Sequence, residues 1–346
     1  MNKKQHLHNK VDKKVLKQAL ESENFSRFTA TFYQYASIKL PLEMRDRLYK
    51  EWSKLKIFGR VYIAEEGINA QISVPESCWN EFINYLNSID MLNEVKVKRA
   101  LEEGPSFYKL TIKVRKELVA YGISKDLYDM KIVGSHLSAD KYNKAIEEKG
   151  TVVVDMRNYY ESEIGRFDDA IIPDVETSRE LLPEVKRLLK GKEKDKVLLY
   201  CTGGIRCEKA SSYLIHHGFK DVNQLQGGII QYAHEIREFG LKSKFKGKNF
   251  VFDNRLGERV TQDILSSCHL CGARCDEHTD CNNDSCHILF IQCRDCSERL
   301  KGCCSKECHD FALLPPDEQK RLRRYPSQVV SKTFFDSRIK PRLRTR

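Results

Sequence analysis

Eight consecutive residues, Tyr200-Cys201-Thr202-Gly203-Gly204-Ile205-Arg206-Cys207, combine two thiols, two glycines and a permanent cation. An apolar run at 197–200 leads into them, and a helix-like stretch at 208–217 follows. A cysteine on a short glycine turn between a strand and a helix is placed for reactivity. The N–H groups of such a turn converge on the sulfur, and the start of a helix favours negative charge there. With Arg206 nearby, the Cys201 thiol is expected to ionise easily, so that the turn holds a thiolate or a persulfide. Cys201 is then a candidate nucleophile, with turn N–H groups and Arg206 stabilising the anion that develops on attack. Cys207 is a candidate resolving or reducing thiol.

A second set of cysteines reads differently. Ten of the chain's 13 cysteines lie between 268 and 308. The pairs Cys268-x2-Cys271 and Cys293-x2-Cys296 suit tetrahedral zinc, because two thiolates on a tight turn can share one metal. These four form the expected first site. The second draws on Cys275, Cys281, Cys286, Cys303, Cys304 and Cys308, among which spacing does not choose; Cys275, Cys281, Cys303 and Cys308 are assigned to it. His269, His278, His287 and His309 lie in the same stretch. An iron–sulfur cluster is the alternative, since its ligation is also all-thiolate. The expected role is structural, because the stretch has too few apolar residues to fold without a staple.

The elements that would position these groups follow from periodicity. Residues 28–37 alternate like a strand. Residues 42–56 carry Leu42, Leu48, Trp52 and Leu55 at helical spacing. Residues 58–64 and 68–74 form a hairpin around Glu65-Glu66-Gly67; 77–89 read as a helix, and 95–98 and 107–114 as strands. The order βαββαβ, with room for one more strand, predicts a ferredoxin-like α+β domain over 25–122. Trp52 and Trp79 read as its core. Lys96, Lys98, Arg99, Lys113, Arg115 and Lys116 are placed either to face phosphates or to solvate a sheet edge.

The residues around the thiol turn carry a resemblance. Val152-Val153-Val154-Asp155-Met156-Arg157 is followed by Glu161, Gly165, Ala170 and Pro173. After the turn come His217-Gly218-Phe219-Lys220-Asp221-Val222 and Leu225-Gln226-Gly227-Gly228-Ile229. This resembles a rhodanese domain over about 128–240, with Cys201 in the persulfide-forming position. One departure is Gly165-Arg166, where that family usually has Gly-His. The Cys-x4-Arg spacing makes a smaller cradle than the Cys-x5-Arg of a protein phosphatase.

Taken with the Ala64-Glu65-Glu66-Gly67-Ile68-Asn69 run, the loop at 201–209 and the cysteine-rich end, nearly the whole chain resembles the rhodanese-domain, oxygen-dependent tRNA uridine hydroxylase family, which makes 5-hydroxyuridine at the wobble position. The fold class that follows is α/β: an N-terminal ferredoxin-like α+β domain, a central rhodanese domain with a parallel sheet over 128–240, and a C-terminal zinc-binding module over 241–312. The resemblance implies that Cys201 is the reactive cysteine, that Arg206 is its cradle partner and that molecular oxygen is the co-substrate. It also implies a tRNA anticodon loop as partner, with no DNA. A rhodanese-type sulfurtransferase working through a Cys201 persulfide is the alternative, and a non-catalytic adaptor a third. The glycines after Cys201 do not form a dinucleotide fingerprint, and the electron donor stays open.

Charge sits at the two ends, expected as basic arms over 1–24 and 313–346. Residues 1–17 hold six lysines against Asp12, and 320–346 hold ten Lys/Arg against Asp336. These ends total +14 against +11 for the whole chain, so the interior is slightly acidic. Basic arms are the electrostatic footprint of a polyanion partner, and Tyr325, Phe334 and Phe335 are available to stack on bases. No run of about 18 apolar residues is present, so no membrane span is expected. The N-terminus lacks the apolar centre of a signal peptide, and a reducing, cytoplasmic setting is expected.

Overall fold

The structure, a computed structural model, describes residues 11–323 apart from His287. Residues 1–10 and 324–346 of the two basic arms, with Tyr325, Phe334 and Phe335, lie outside the described residues.

After helix α1 (Lys13–Glu21) the first domain runs β1 (Arg27–Tyr35), α2 (Pro41–Lys54), β2 (Phe58–Ala64), β3 (Gly67–Pro75), α3 (Trp79–Asn87), β4 (Lys98–Arg99) and β5 (Leu110–Val114). Its sheet has the order β4-β1-β3-β2-β5. The first four strands are antiparallel, as in a ferredoxin-like fold, and β5 adds an outer strand parallel to β2. Strand alternation gives this sheet two unlike faces. Ala30, Phe32, Ile68, Ala70 and Ile72 are buried under the helices, where Phe32 meets Trp52 and Phe82. Both tryptophans belong to this core, Trp52 fully buried and Trp79 packed at its margin. The other face carries Thr31, Tyr33, Asn69 and Gln71 and is turned toward the next domain.

The central domain contributes β6 (Ser135–Leu137), α4 (Ala139–Glu147), β7 (Val152–Asp155), α5 (Tyr159–Ser162), β8 (Gly165–Phe167), α6 (Ser178–Leu188), β9 (Lys196–Tyr200), α7 (Ile205–His216), β10 (Asp221–Leu225) and α8 (Gly228–Phe239). Its sheet is wholly parallel in the order β6-β10-β9-β7. Strand β9 is buried between neighbours, so its run Val197, Leu198, Leu199 and Tyr200 is apolar throughout. Cys201 therefore leaves the carboxyl end of an inner parallel strand, where α/β sheets place their ligands.

The C-terminal part is sewn to the central domain before it becomes a module of its own. Strand β11 (Phe245–Asn249) pairs with β8 on one side and β12 (Glu258–Arg259) on the other. Gly165 packs so closely there that a Cβ would lie 2.1 Å from the Lys248 carbonyl oxygen. The Gly165-Arg166 departure noted in the sequence thus falls on a sheet edge. Beyond it come the hairpin β13 (His278–Asp280) and β14 (Leu289–Ile291), then α9 (Arg294–Leu300), α10 (Lys306–Leu313) and α11 (Pro316–Arg323). No described helix is long and apolar enough to cross a membrane.

Candidate active site between the first two domains

Cys201 is fully buried, and its sulfur accepts the Gly204 N–H at 3.1 Å. Gly204, just before α7, has φ +103°, a conformation that glycine adopts without strain. A second glycine closes the turn from behind. Gly228 has φ +69°, and a Cβ there would lie 2.6 Å from the Cys201 carbonyl oxygen and 2.7 Å from Gly204 N. The first turn of α8 then docks on the loop, with Ile229 N donating to Cys201 O and Ile230 N to Thr202 O.

Burial pushes the Cys201 thiol up, but a hydrogen bond from Cys207, the Arg206 charge and the N–H groups of Arg206 and Gly204 outweigh it, bringing the group to about 6. Cys207 moves the other way: burial and the adjacent Cys201 hold it well above the ordinary thiol range. The two neighbouring thiols thus have opposite character, Cys201 easily ionised and Cys207 held protonated.

Arg206 does not point alone at the sulfur. Its guanidinium forms a two-pronged ion pair with Glu161, at 2.6 and 2.8 Å, and also reaches Thr202 Oγ1 at 3.3 Å. Glu161 is the third residue of α5 and accepts the Asn158 N–H in a capping box. Beneath it, Arg157 is fully buried and bound to Asp155 at 2.9 and 2.7 Å and to the Gly165 carbonyl at 2.6 Å. Sequence reasoning found Arg206 but gave Glu161 no role; the Asn158-x-x-Glu161 spacing of a capping box was the available signal.

The loop opens on a cavity of about 310 Å³ between the two domains, at the lower end of roughly 300–1,000 Å³ for small-molecule sites. Cys201 and Arg206 line one side, and Tyr33, Tyr62, Asn69 and Gln71 of the first sheet line the other. Lys98 does not face solvent phosphates. Its ammonium donates to the Gly203 carbonyl at 2.9 Å and lies 4.8 Å from the Tyr33 ring centre. Burial lowers it to about 8, against the opposing pull of Cys201 and Glu208. Arg99 stacks at 3.6 Å on Phe28. Lys96, Lys113, Arg115 and Lys116 are exposed.

The two residues after Cys207 tie the domains together. Glu208 accepts from Tyr33 Oη at 2.9 Å. Lys209, with no exposure, meets Glu66 at 2.9 Å and Glu117 at 3.4 Å. Glu66 is thus an interdomain anchor, Asn69 lines the cavity, and Glu65 makes an exposed ion pair with Lys125 at 3.7 Å.

Comparison with known proteins matches three stretches of the chain. Residues 27–118 match a UPF0176 acylphosphatase-like domain, 138–235 a rhodanese-like domain and 246–309 a rhodanase C-terminal domain. A tRNA uridine(34) hydroxylase of Leptospira interrogans is 50% identical over 343 residues, covering 99% of this chain and 93% of the relative. The chain belongs to the tRNA uridine(34) hydroxylase family. Two further members, from an Enterobacter species and from Photorhabdus laumondii, are 47% and 46% identical, each over 96% of this chain and 95% of the relative.

In this member of the tRNA uridine(34) hydroxylase family the cysteine-rich end forms two groups of four sulfurs. Cys268, Cys271, Cys293 and Cys296 come together as expected, all within 4.8 Å of one another. The second group is Cys281, Cys286, Cys304 and Cys308, so Cys275 and Cys303 are replaced by Cys286 and Cys304. The reason is local. Cys275 is tied by backbone bonds to Ser266, takes the Glu277 N–H on its sulfur and packs into an apolar cluster with Leu289 and Ile291. At the end of α9, Lys301 and Gly302 both have positive φ. That reversal brings Cys304, not its neighbour Cys303, to 3.7 Å from Cys308.

The spacing fits zinc. Tetrahedral Zn–S bonds of about 2.3 Å put sulfurs roughly 3.8 Å apart. Cys271 and Cys293 are 3.6 Å apart, and Cys286 and Cys304 are 3.6 Å apart. Among the histidines of this stretch, His269 is held by Glu163 at 2.7 Å, outside both groups.

Proposed function

We propose that this chain hydroxylates uridine 34 of tRNA at C5, with Cys201 as nucleophile and molecular oxygen as co-substrate. The observation that carries the reading is a thiol of pKa about 6 lining a cavity that two domains share. Pyrimidine C5 is a weak nucleophile. Addition of the Cys201 thiolate to C6 turns the ring into an enolate with carbanion character at C5, and turn N–H groups stabilise the enolate oxygen. Oxygen then bonds to C5 as a hydroperoxide; Cys207 takes its outer oxygen as the O–O bond breaks, leaving C5–OH and a Cys207 sulfenic acid, and loss of the C5 proton expels Cys201 and restores the ring.

Placing one oxygen atom on C5 and reducing the other to water consumes two electrons and two protons. Cys201, once expelled, displaces water from the Cys207 sulfenic acid, so the two sulfurs supply both electrons as they join in a disulfide, which an external thiol then reduces; Cys207 supplies one proton and solvent the other. Two zinc ions held by the eight clustered thiolates would fold the C-terminal module and take no part in the reaction.

Anticodon-loop bases are unpaired, so presenting one to a closed cavity costs less than flipping it from a duplex. Arg60 lines the cavity, and the Arg115 guanidinium lies 5.4 Å from the ring centre of Tyr62 beside it. Both are suited to the RNA backbone, with the basic arms adding long-range attraction. The affinity for tRNA should fall steeply with salt, and removal of residues 320–346 should flatten that slope. An unchanged slope would assign RNA binding elsewhere.

The deciding experiment is the nucleoside composition of tRNA from cells lacking the gene, rescued with wild type or with Cys201→Ala. Loss of 5-hydroxyuridine-derived nucleosides, restored by wild type alone, is expected. Equal rescue by Cys201→Ala would remove the nucleophile. An unchanged profile in the deletion strain would turn the reading to sulfur transfer.

A further inference from the structure

Attack on C6 approaches uracil from a ring face, and N3 lies across the ring from C6. The imide edge, an N3–H with a carbonyl on either side, therefore points away from the sulfur. It offers acceptor, donor, acceptor, and its complement is donor, acceptor, donor. A side-chain amide supplies two of the three at once. Most polar side chains around the cavity are already engaged. Asp253 and Glu258 are bound by Arg255, and Tyr33 donates to Glu208. Thr31 Oγ1 donates to the Ala70 carbonyl at 3.0 Å, and the Asn158 amide to Tyr160 Oη at 3.2 Å. Asn69 and Gln71 differ. Both line the cavity, both are half-buried, and neither side chain has a partner among the described residues.

Their placement is regular. Both sit on β3, which is paired to β1 on one side and β2 on the other. The register puts Asn69 between Tyr33 and Tyr62, and Gln71 between Thr31 and Arg60. All six line the cavity, so the sheet presents two rows of three side chains toward the Cys201 loop. Alternate residues of a strand share a face and lie about 7 Å apart, a separation at which two amide side chains can close on one base. We propose that Asn69 and Gln71 bind the imide edge of the uracil at position 34. The Asn69 carbonyl accepts N3–H while its NH2 group donates to one ring carbonyl, and Gln71 donates to the other. The inference deepens the hydroxylation reading above and rests on it for the identity of the base.

The surroundings suit this use. Asparagine is depleted in strands, and the fold makes no use of the Asn69 side chain that would explain it there. The strand that carries both amides is rigid. It is hydrogen-bonded along both edges, and Ile68, Ala70 and Ile72 on its other face are fully buried in the core of the first domain. The Tyr33 hydroxyl is fixed on Glu208, and Arg115 lies over the Tyr62 ring, so the side chains on either side of Asn69 are themselves held. An empty cavity leaves the two amides to water. A base that fills it displaces that water, and one without the matching edge leaves a buried polar group unpaired, which is the costly outcome.

The test is binding of anticodon stem-loop RNAs to the full chain with oxygen excluded, so that nothing turns over. Position 34 carries uridine, 3-methyluridine or no base. Wild type should hold the uridine form about 100-fold more tightly than the abasic form, and 3-methyluridine, which has no N3–H, no better than the abasic form. Asn69→Leu and Gln71→Met, close in shape, should each weaken the uridine form about ten-fold. Both should leave the abasic form within about two-fold of wild type, which also shows that they fold. Undiminished uridine binding in both variants would overturn the proposal. So would a wild type that binds 3-methyluridine as tightly as uridine, or variants that lose the abasic form equally. A wild type that selects uridine yet makes no 5-hydroxyuridine in air would remove the hydroxylation reading and leave the base-binding one standing.

Discussion

Cys201 and Cys281 are both buried cysteines of one chain, yet their surroundings set them opposite tasks. Around Cys201 the partners are N–H groups, a neighbouring thiol and the charge of Arg206, and one side opens on a cavity. Around Cys281 the partners are three more sulfurs, with the Cys304 N–H at 3.4 Å. A thiolate stays available when neutral donors and a fixed cation hold it beside open space. Four thiolates crowded together need a shared cation, and once they have it they are ligands and not nucleophiles.

The strongest way to break this contrast is to take the metal away. A chelator should release two zinc ions per chain and unfold the segment from about 266 to 313, since structural zinc is worth roughly 10–16 kcal/mol to such modules. Hydrogen exchange with metal analysis reads both events, while Cys201 alkylation continues. Freshly purified, reduced protein without metal would end the zinc reading.

Charge at the other site sharpens the contrast. Arg206→Met should move the Cys201 ionisation upward by a unit or more, and Glu161→Gln should move it downward by uncovering the Arg206 charge. Each variant also leaves a buried partner unpaired, at a cost of about 3–5 kcal/mol. Shifts of the same sign in both variants would refute this account.

In the unaltered protein, alkylation of Cys201 should climb with pH up to an inflection near 6 and be level above it. The sign follows for stability too. A thiol depressed from its unfolded value of about 8.5 lends stability that is fully present above that value and is lost as pH falls through 6. An inflection above 8 would mean an ordinary thiol. The smallest expected effect separates ligands from bystanders: Cys275→Ser and Cys303→Ser should keep both metals, whereas Cys286→Ser or Cys304→Ser should lose one. Metal content of the four variants decides it.

What the sequence disclosed followed from local rules. The Cys201 turn announced itself because strand, glycines and helix lie in one short run. The first domain was legible from period, down to the added outer strand. The first cysteine group followed from two Cys-x2-Cys turns. The second did not, because Cys303 and Cys304 are adjacent and both buried, and only the backbone reversal at Lys301 and Gly302 decides which one joins the sulfur group. Glu161 and Tyr33 stayed silent for a different reason. Each acts through a partner more than 40 residues away, a distance across which periodicity carries no information. Lys98 misled, since a lysine on an edge strand reads as surface until a second domain covers it.

The buried contact of Lys209 with Glu66 and Glu117 bears on what can be cut from this protein. Glu66 lies in the first domain and Glu117 just after β5, whereas Lys209 is on α7 of the rhodanese-like part. Excising that part as a free-standing unit would strip the lysine of both counter-charges and uncover the loop that bears Cys201. The rhodanese-like domain is therefore not portable: grafts and truncations that treat it as an independent cassette should yield a less stable protein with an unwalled thiol, whatever else they retain.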